Sequence, residues 1–339
     1  MIAALLRGLA LVLVLALAGP ALAQTAVPVL RISTENTADH IQTKALQRFV
    51  EVVRKAAGGR LDIRLHHSAE LYRDRDVIKA LLQGKVEMAV PGTWQLDRFQ
   101  PDMGMFLLPM FYGRSAAVNY ALRDGPIGQE LNARLESAQG VKVLGRWIDL
   151  GFAHIYGVGR PITRPEDLQG LRIRIAGGDA NAARLEAFGA IPSVIPWPDL
   201  PLALDQGRID GVLTSHETVA SAALWKHGIR YAFEDFEYFP QYVPMVNLQF
   251  WNRLPTDLRA VLQASWEEMV EPARTAAAAA QTAARQELAR NGVRFTHTSP
   301  EQRAVWRERL MTRQPELVRT MGLDEALVEQ VRRQLEAIR

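Results

Sequence analysis

Strand-like and helix-like hydrophobic patterns alternate along the first part of the chain. Apolar residues fall at every second position in residues 27–34, in residues 60–66 and again from Val86 to Val90. Between these stretches, residues 38–57 and the segment that ends at Gly84 repeat apolar positions at the spacing of a helix. The order strand, helix, strand, helix, strand predicts a mostly parallel sheet flanked by helices.

The same unit is repeated further along the chain. The stretch Gly59–Leu65 matches the rhythm of Gly170–Ile175, and Ala80–Met88 matches Ala203–Gly211. In the second pair, a helix is closed by Gln-Gly and followed by a short strand. Two copies of one α/β unit predict two lobes of similar design.

The chain is predicted to cross between the lobes near Leu150–Gly157 and Val243–Phe250, and then to become helical. From Pro255 an alanine-rich helix extends to Arg290. At 1.5 Å per residue this helix spans roughly 50 Å, which is long enough to brace both lobes. Two amphipathic helices are expected in residues 300–339.

The N-terminus has the features of a secretory signal. Arg7 precedes the apolar run Gly8–Ala18, and Ala21-Leu22-Ala23 supplies a cleavage site. The run is too short for an ordinary membrane-spanning helix. Residues 1–23 are therefore predicted to be a signal peptide, and the mature protein is expected to be exported.

Composition excludes several classes of function. The 339 residues contain no cysteine, so neither a disulfide nor a thiolate metal site can form. Loss of Arg7 with the signal lowers the basic residues from 40 to 39, against 37 acidic ones, and no basic run is interleaved with aromatics. This argues against nucleic-acid binding. His66 and His67 point to opposite faces of a strand, and no nucleophile motif is present. We therefore predict no catalytic residues, no metal and no cofactor.

Arg174 lies in a strand that ends in a glycine-rich turn. Leu171, Ile173 and Ile175 alternate with Arg172 and Arg174, so both guanidiniums share one face of the strand. The turn Ala-Gly-Gly-Asp then leads into a helix, whose N–H groups and dipole would help a guanidinium to hold an anion. The simpler alternative is a solvated strand edge.

Other candidates for a small-molecule site lie close to strand ends. Trp94 follows the strand Val86–Val90, Thr214 follows the equivalent strand of the second unit, and Trp197 precedes a helix. Ligands of open α/β sheets collect beyond the carboxyl ends of the strands. A position in the core is the alternative for Trp197.

At this point the chain resembles a known family, the substrate-binding proteins of tripartite ATP-independent periplasmic (TRAP) transporters of the DctP type. The resemblance covers essentially the whole mature chain and rests on the order and spacing of several segments. These segments are Gly58–Leu61, Leu82–Met88, Leu107–Pro109, Asp167–Arg174, Gly189-Ala190 with Pro192, Ala203–Gly211 and Trp251–Pro255.

The resemblance implies an α/β protein with the two-lobed periplasmic-binding-protein fold, each lobe a mixed β-sheet flanked by helices, with a long helix spanning both lobes. The expected boundaries are 24–151 plus 239–275 for lobe I, and 152–238 plus 276–339 for lobe II. It also implies that Arg174 forms an ion pair with a ligand carboxylate. The other ligand contacts that it implies are Trp197, Thr214, Thr93, Trp94, Glu35 (or Asn36) and Asn247.

One position departs from the family pattern. Many members have a second arginine near the first crossing, where this chain has Ala153 with His154 beside it. Without that cation, a monocarboxylate becomes the expected ligand, with His154 as a further contact. Glu35 and two tryptophans would also suit a ligand with hydroxyl, amine or ring character.

The sequence therefore predicts a non-enzymatic, monomeric receptor in the periplasm. It would bind a small organic acid in the cleft and deliver it to the membrane subunits of a TRAP transporter. The alternatives are a binding protein of an ATP-driven importer, a secreted enzyme acting in the cleft, and a ligand-sensing partner of a membrane receptor.

Overall fold

A computed structural model describes residues 27–338, so the predicted signal peptide lies outside the described residues. The strands, in chain order, are β1 (Val29–Ser33), β2 (Asp62–His66), β3 (Met88–Ala89), β4 (Val141–Val143), β5 (Ile148–Asp149), β6 (Ala153–Gly157), β7 (Arg172–Ile175), β8 (Ile191–Val194), β9 (Gly211–Ser215), β10 (Tyr231–Tyr238), β11 (Gln241–Tyr242), β12 (Met245–Asn247) and β13 (Arg294–His297).

Helices surround these strands. In chain order they are α1 (Ile41–Ala57), α2 (Asp74–Leu82), α3 (Thr93–Leu96), α4 (Ala116–Arg123), α5 (Pro126–Gln139), α6 (Asp179–Glu186), α7 (Leu200–Asp205), α8 (His216–Ser221), α9 (Leu248–Arg253), α10 (Thr256–Arg290), α11 (Pro300–Met311), α12 (Gln314–Thr320) and α13 (Glu325–Ala337). Short 3₁₀ helices occupy Pro101–Leu107, Pro109–Phe111, Pro165–Leu168, Trp197–Asp199 and Leu224–His227.

The first sheet forms lobe I and has the strand order β2-β1-β3-β12-β4. Strand β1 runs parallel to both β2 and β3, as the repeating pattern predicts, whereas β12 is antiparallel to β3 and β4. Alternation along β1 buries Leu30 and Ile32 completely. Arg31, on the opposite face, forms an ion pair with Glu87, with 2.6 Å between Nη2 and Oε1.

The second sheet forms lobe II and has the order β13-β10-β6-β9-β7-β8. Its β7 pairs in parallel with β8 and β9, while β6 is antiparallel to β9 and β10. The carboxyl ends of β7 and β9 therefore point to the same edge. The prediction of two mixed sheets flanked by helices is confirmed.

Two connections pass between the lobes beside a small antiparallel ribbon of β5 and β11. The first lies between β5 and β6, within the predicted stretch. The second follows the end of β10 at Tyr238 and is complete before β12, because β12 already belongs to the first sheet. It therefore begins before the predicted stretch Val243–Phe250 and overlaps its first two residues.

Helix α10 spans both lobes, as predicted, and ends at Arg290. It packs against α1 of lobe I and against α8 of lobe II. In its first half, the indole of Trp266 is fully buried, meets the ring of Phe49 edge-on at 5.4 Å and donates to the carbonyl of Arg146. Within residues 27–338, no helix combines the length and the apolar composition that a membrane span requires.

The C-terminal segment contains three helices where two are expected. Leu317 of α12 and Val331 and Leu335 of α13 share a hydrophobic core with Leu122 and Leu131, beneath the first sheet. We therefore propose that α12 and α13 belong to lobe I, although the predicted boundaries assign residues 276–339 to lobe II. The remaining lobe boundaries are proposed as predicted. Strand β13 pairs with β10 of lobe II.

Candidate functional site

A cavity lies between the two lobes at the carboxyl ends of β1, β3, β7 and β9. Both sheets contribute to it because each directs its loops toward the cleft. Its lining residues are Glu35, Asn36, His40, Asp74, Trp94, Leu150, Ala153, Arg174, Ala176, Asn181, Trp197, Leu213, Thr214, Ser215, Thr218, Tyr238, Pro240 and Tyr242.

Arg174 supplies the positive charge of this cavity. Its side chain is only 3% exposed, and its Nε donates to the carbonyl of Ile195 at 2.9 Å. No hydrogen bond joins its terminal nitrogens to a protein group within residues 27–338. Burial lowers the pKa of Arg174 to about 10, so the guanidinium remains protonated at neutral pH. Among the described residues that line the cavity, it is the only lysine or arginine.

Arg172, two residues earlier on β7, has a different role. Its guanidinium forms a bidentate pair with Asp210, with distances of 2.9 Å from Nε to Oδ2 and 2.8 Å from Nη2 to Oδ1. The pair lies near the surface and does not line the cavity. Of the two arginines in this strand, Arg174 is therefore the one that reaches the cleft.

Trp197 covers Arg174 from the loop that follows β8. The centre of its indole lies 5.8 Å from the guanidinium carbon, within the range of a cation–π contact. At the other end of the same 3₁₀ turn, Asp199 pairs with Arg73 of lobe I, at 2.7 Å from Nη1 to Oδ2 and 3.3 Å from Nη2 to Oδ1. This pair ties the Trp197 loop to the opposite lobe.

Two acidic side chains face the same cavity. Glu35 follows β1 and its Oε2 accepts the backbone N–H of Asp74, the first residue of α2, at 3.0 Å. Burial raises the pKa of Glu35 against the lowering effect of Arg174. Burial also raises the pKa of Asp74 well above its usual range, and the neighbouring Glu35 raises it further.

Asp74 is a lining residue that sequence reasoning missed, because an acidic residue at the start of a helix is most simply explained as a cap or a solvated side chain. Its position in the chain could have identified it as a lining residue. It begins the helix that follows β2, and the carboxyl end of β2 lies at the same edge of the sheet as that of β1.

The remaining candidates divide into two groups. Trp94 and Thr214 line the cavity, and Trp94 meets Tyr242 and Tyr238 edge-on, at ring-centre distances of 5.1 and 6.4 Å. Thr93 is buried beside Trp94 and does not line the cavity. Ser215, next to Thr214, also lines the cavity, and further polar groups that were not foreseen come from His40, Asn181, Thr218, Tyr238 and Tyr242.

His154 and Asn247 lie away from the cavity, in contrast to the expectation. Ala153 faces the cavity from β6, so the next side chain points to the opposite face, where His154 lies 4.5 Å from His216 between ring centres. Burial lowers the pKa of His154 to about 4, which leaves it neutral. Asn247 caps α9 by accepting the N–H of Phe250 at 2.9 Å.

The lobes approach closely beside the cavity at Gly178, which precedes α6. Its φ of 92° is unfavourable for residues with a side chain. A Cβ at this position would also lie 2.8 Å from the backbone oxygen of Trp94 in lobe I. Glycine therefore permits both the turn after β7 and the contact between the lobes.

Glu217 of α8 makes a second contact between the lobes, at the N-terminus of α1. Its Oε1 accepts the N–H of Ile41 at 3.2 Å, and its Oε2 lies 3.5 Å from Nε2 of His40. Burial lowers the pKa of His40 to about 3, so its ring is neutral. Oε2 of Glu217 is buried and has no hydrogen-bond partner in the described part of the chain. Burial raises the pKa of Glu217 to about 7.

Glu217→Gln is expected to reduce the loss of stability that the wild type shows between pH 5.5 and pH 8. The raised pKa means that the folded protein holds a proton that the unfolded chain releases near pH 4.5. This contribution is complete below the unfolded pKa and is lost as the pH rises through 7. Glutamine stays neutral and retains an acceptor for the N–H of Ile41.

Unfolding temperatures at the two pH values measure this effect. The control is Glu186→Gln, at an exposed position of α6. An equal loss of stability in the wild type and in Glu217→Gln would contradict the assignment.

Sequence comparison identifies the family. The profile described as "Bacterial extracellular solute-binding protein, family 7" (DctP) matches residues 32–318. The C4-dicarboxylate-binding periplasmic protein DctP of Rhodobacter capsulatus is 29% identical over 324 residues, which cover 91% of this chain and 92% of that protein.

Solved structures share the fold over almost their whole length. A TRAP periplasmic solute-binding protein of Sulfurospirillum deleyianum, with bound succinate, has a TM-score of 0.82 and 25% identity, covering 91% of this chain and 99% of its own. The sugar acid binding protein DctPAm of Advenella mimigardefordensis, in complex with galactonate, has a TM-score of 0.85 and 22% identity, covering 91% and 98%. These relatives are binding proteins. The chain belongs to the DctP family of bacterial extracellular solute-binding proteins, as the motifs in its sequence predict.

Proposed function

We propose that this protein is a periplasmic receptor that binds a small organic acid between its lobes and delivers it to the membrane subunits of a TRAP transporter. The observation that carries the proposal is the guanidinium of Arg174. It is buried at the cavity, charged, and without a hydrogen bond from its terminal nitrogens to the described protein. A carboxylate is the group that matches its two parallel N–H donors.

The charges around the cavity favour a monocarboxylate. Succinate and galactonate, the ligands of the two related structures, are both carboxylates. Here Ala153 occupies the position at which the resemblance expects a second arginine, while Glu35 and Asp74 add acidic groups whose pKa values are raised by burial. A second ligand carboxylate would therefore be buried without a cation to pair with it.

Contacts between the lobes support binding by closure. Arg73 with Asp199, and Glu217 with the N-terminus of α1, join lobe I to lobe II beside the cavity. Closure over a ligand removes its carboxylate from water, which strengthens the interaction with Arg174. Cleavage after Ala23 would release the mature chain into the periplasm, where we propose that it acts as a monomer.

A binding screen of the mature protein tests this function. We expect small monocarboxylates to raise the unfolding temperature, because a ligand that binds only the folded state stabilises it. Butanoate and its hydroxylated and aminated forms, succinate as the dicarboxylate of equal length, and butanamide as the neutral control form a suitable set.

Two outcomes would contradict the proposal. The absence of stabilisation by any carboxylate, in this set or in a wider one of three to seven carbons, would argue against an organic-acid receptor. Tighter binding of succinate than of every monocarboxylate would overturn the preference for a single carboxylate. Product analysis after incubation with a bound acid separates this function from an enzyme, because a receptor releases its ligand unchanged.

A further inference from the structure

The cavity contains more acidic than basic groups. Arg174 contributes one positive charge, whereas Glu35 and Asp74 are two acidic groups. Arg73 also lies near Glu35, but its guanidinium is engaged in the bidentate pair with Asp199. A ligand that brings only a carboxylate would occupy Arg174 and leave both acidic groups without a cation.

Asp74 is the part of this arrangement that lacks a partner. The residue is 9% exposed, and its carboxyl oxygens form no hydrogen bond with the protein within residues 27–338. Its backbone N–H is bound to Glu35, which holds the two acidic side chains next to each other. Buried carboxyl groups are normally paired or hydrogen-bonded, so a partner from the ligand would complete this site.

Aromatic rings form much of the remaining wall. Trp94, Trp197, Tyr238 and Tyr242 all line the cavity, and Trp94 joins the two tyrosines in an edge-on cluster. The faces of such rings attract organic cations, and nearby carboxyl groups strengthen that preference. Acidic and aromatic side chains together are typical of a site for an amine or an alkylated ammonium group.

We propose that the ligand is a zwitterion, a monocarboxylate that also carries a positively charged nitrogen. This inference rests on the proposed function, since the ligand carboxylate binds Arg174. The nitrogen lies beside Glu35 and Asp74, against the aromatic wall. The ligand then supplies the positive charge that the two acidic side chains lack, whereas a hydroxy acid would supply only a hydroxyl donor.

Shape-matched pairs of ligands test this inference with the mature protein. Suitable pairs are alanine and lactate, 4-aminobutanoate and 4-hydroxybutanoate, and trimethylglycine with 3,3-dimethylbutanoate, in which a carbon replaces the charged nitrogen. In the pair whose skeleton fits, we expect the nitrogen compound to bind at least tenfold more tightly by isothermal titration calorimetry.

Proton exchange on binding gives a second, independent measurement. A cation next to Glu35 and Asp74 lowers their pKa values, so a zwitterion should release protons when it binds at pH 7. An anionic hydroxy acid raises the same pKa values and should take up protons. Titrations in two buffers with different ionisation enthalpies determine the sign. Tyr242 also faces Asp74, but burial raises its pKa well above this pH.

Asp74→Asn is expected to weaken binding of the nitrogen compound tenfold or more, and to leave binding of the partner without the charged nitrogen unchanged or tighter. Glu35→Gln provides a second variant that neutralises the same site. The matched control is Asp76→Asn, in the same turn of α2 with its side chain exposed. Thermal melts confirm that each variant is folded.

The outcomes separate this inference from the function on which it rests. If monocarboxylates bind and the nitrogen compound is never the tighter partner, the zwitterion is excluded and the organic-acid receptor stands. If Asp74→Asn weakens both partners equally, the assignment of the cation to Asp74 is wrong. If no carboxylate binds, the proposed function fails and this inference fails with it.

Discussion

Arg174→Gln is expected to lower the affinity for the carboxylate ligand by about 100-fold or more. Loss of one partner of a buried, hydrogen-bonded charge pair costs about 2–5 kcal/mol, and the upper part of that range applies when the remaining charge stays buried. Glutamine retains a hydrogen-bond donor but removes the charge and the paired N–H geometry. Arg174→Lys should recover part of the affinity, since it restores the charge without that geometry.

Arg172→Gln is the matched control for this experiment. It removes the same group from the same strand, two residues away, but its guanidinium pairs with Asp210 near the surface. Titration calorimetry of both variants should therefore show weakened binding only for Arg174→Gln. Equal affinities of the two variants for the ligand would contradict the assignment of Arg174 to the ligand carboxylate.

Trp266→Ala is expected to lower the free energy of unfolding by about 3–5 kcal/mol, the usual cost of replacing a buried aromatic by alanine. The indole is completely buried between α10 and α1, where it packs against Phe49. Its removal also leaves the carbonyl of Arg146 without its donor. Both losses fall on the contact between the long helix and lobe I.

Chemical denaturation followed by circular dichroism measures this change. Glu268→Ala, at an exposed position two residues further along α10, is the control, and it should change stability by about 0.5 kcal/mol or less. If Trp266→Ala lowers the free energy of unfolding no more than Glu268→Ala does, the core between α10 and α1 tolerates loss of the indole and the prediction is wrong.

Local patterns predict much of this fold because alternation and helical spacing reflect burial directly. The strand containing Leu30 and Ile32 and the helix that ends at Arg290 both follow from such patterns. Residue spacing alone placed Arg172 and Arg174 on one face of a strand and did not show which of the two reaches the cavity. The difference arises from Asp210, a distant residue that pairs with Arg172.

The candidate site was harder to predict because its chemistry depends on long-range contacts. Asp74 and Glu35 are 39 residues apart in the chain and are joined by one backbone hydrogen bond. His154 was misplaced by a single position, since neighbouring strand residues face opposite sides. Asn247 serves as a helix cap. An asparagine in this place could equally bind a ligand, so the residue type alone does not distinguish the two roles.

Helix α10 is attached to both lobes, with the two attachments on opposite sides of Pro272. Trp266 fixes one part of it in lobe I, and Gln281 accepts the backbone N–H of Glu217 in lobe II. Pro272 lies between them and lacks an N–H group, so one rung of the helical hydrogen-bond ladder is missing there. Because the helix is held by a different lobe on each side of Pro272, we expect any rotation of one lobe against the other to bend it near this residue.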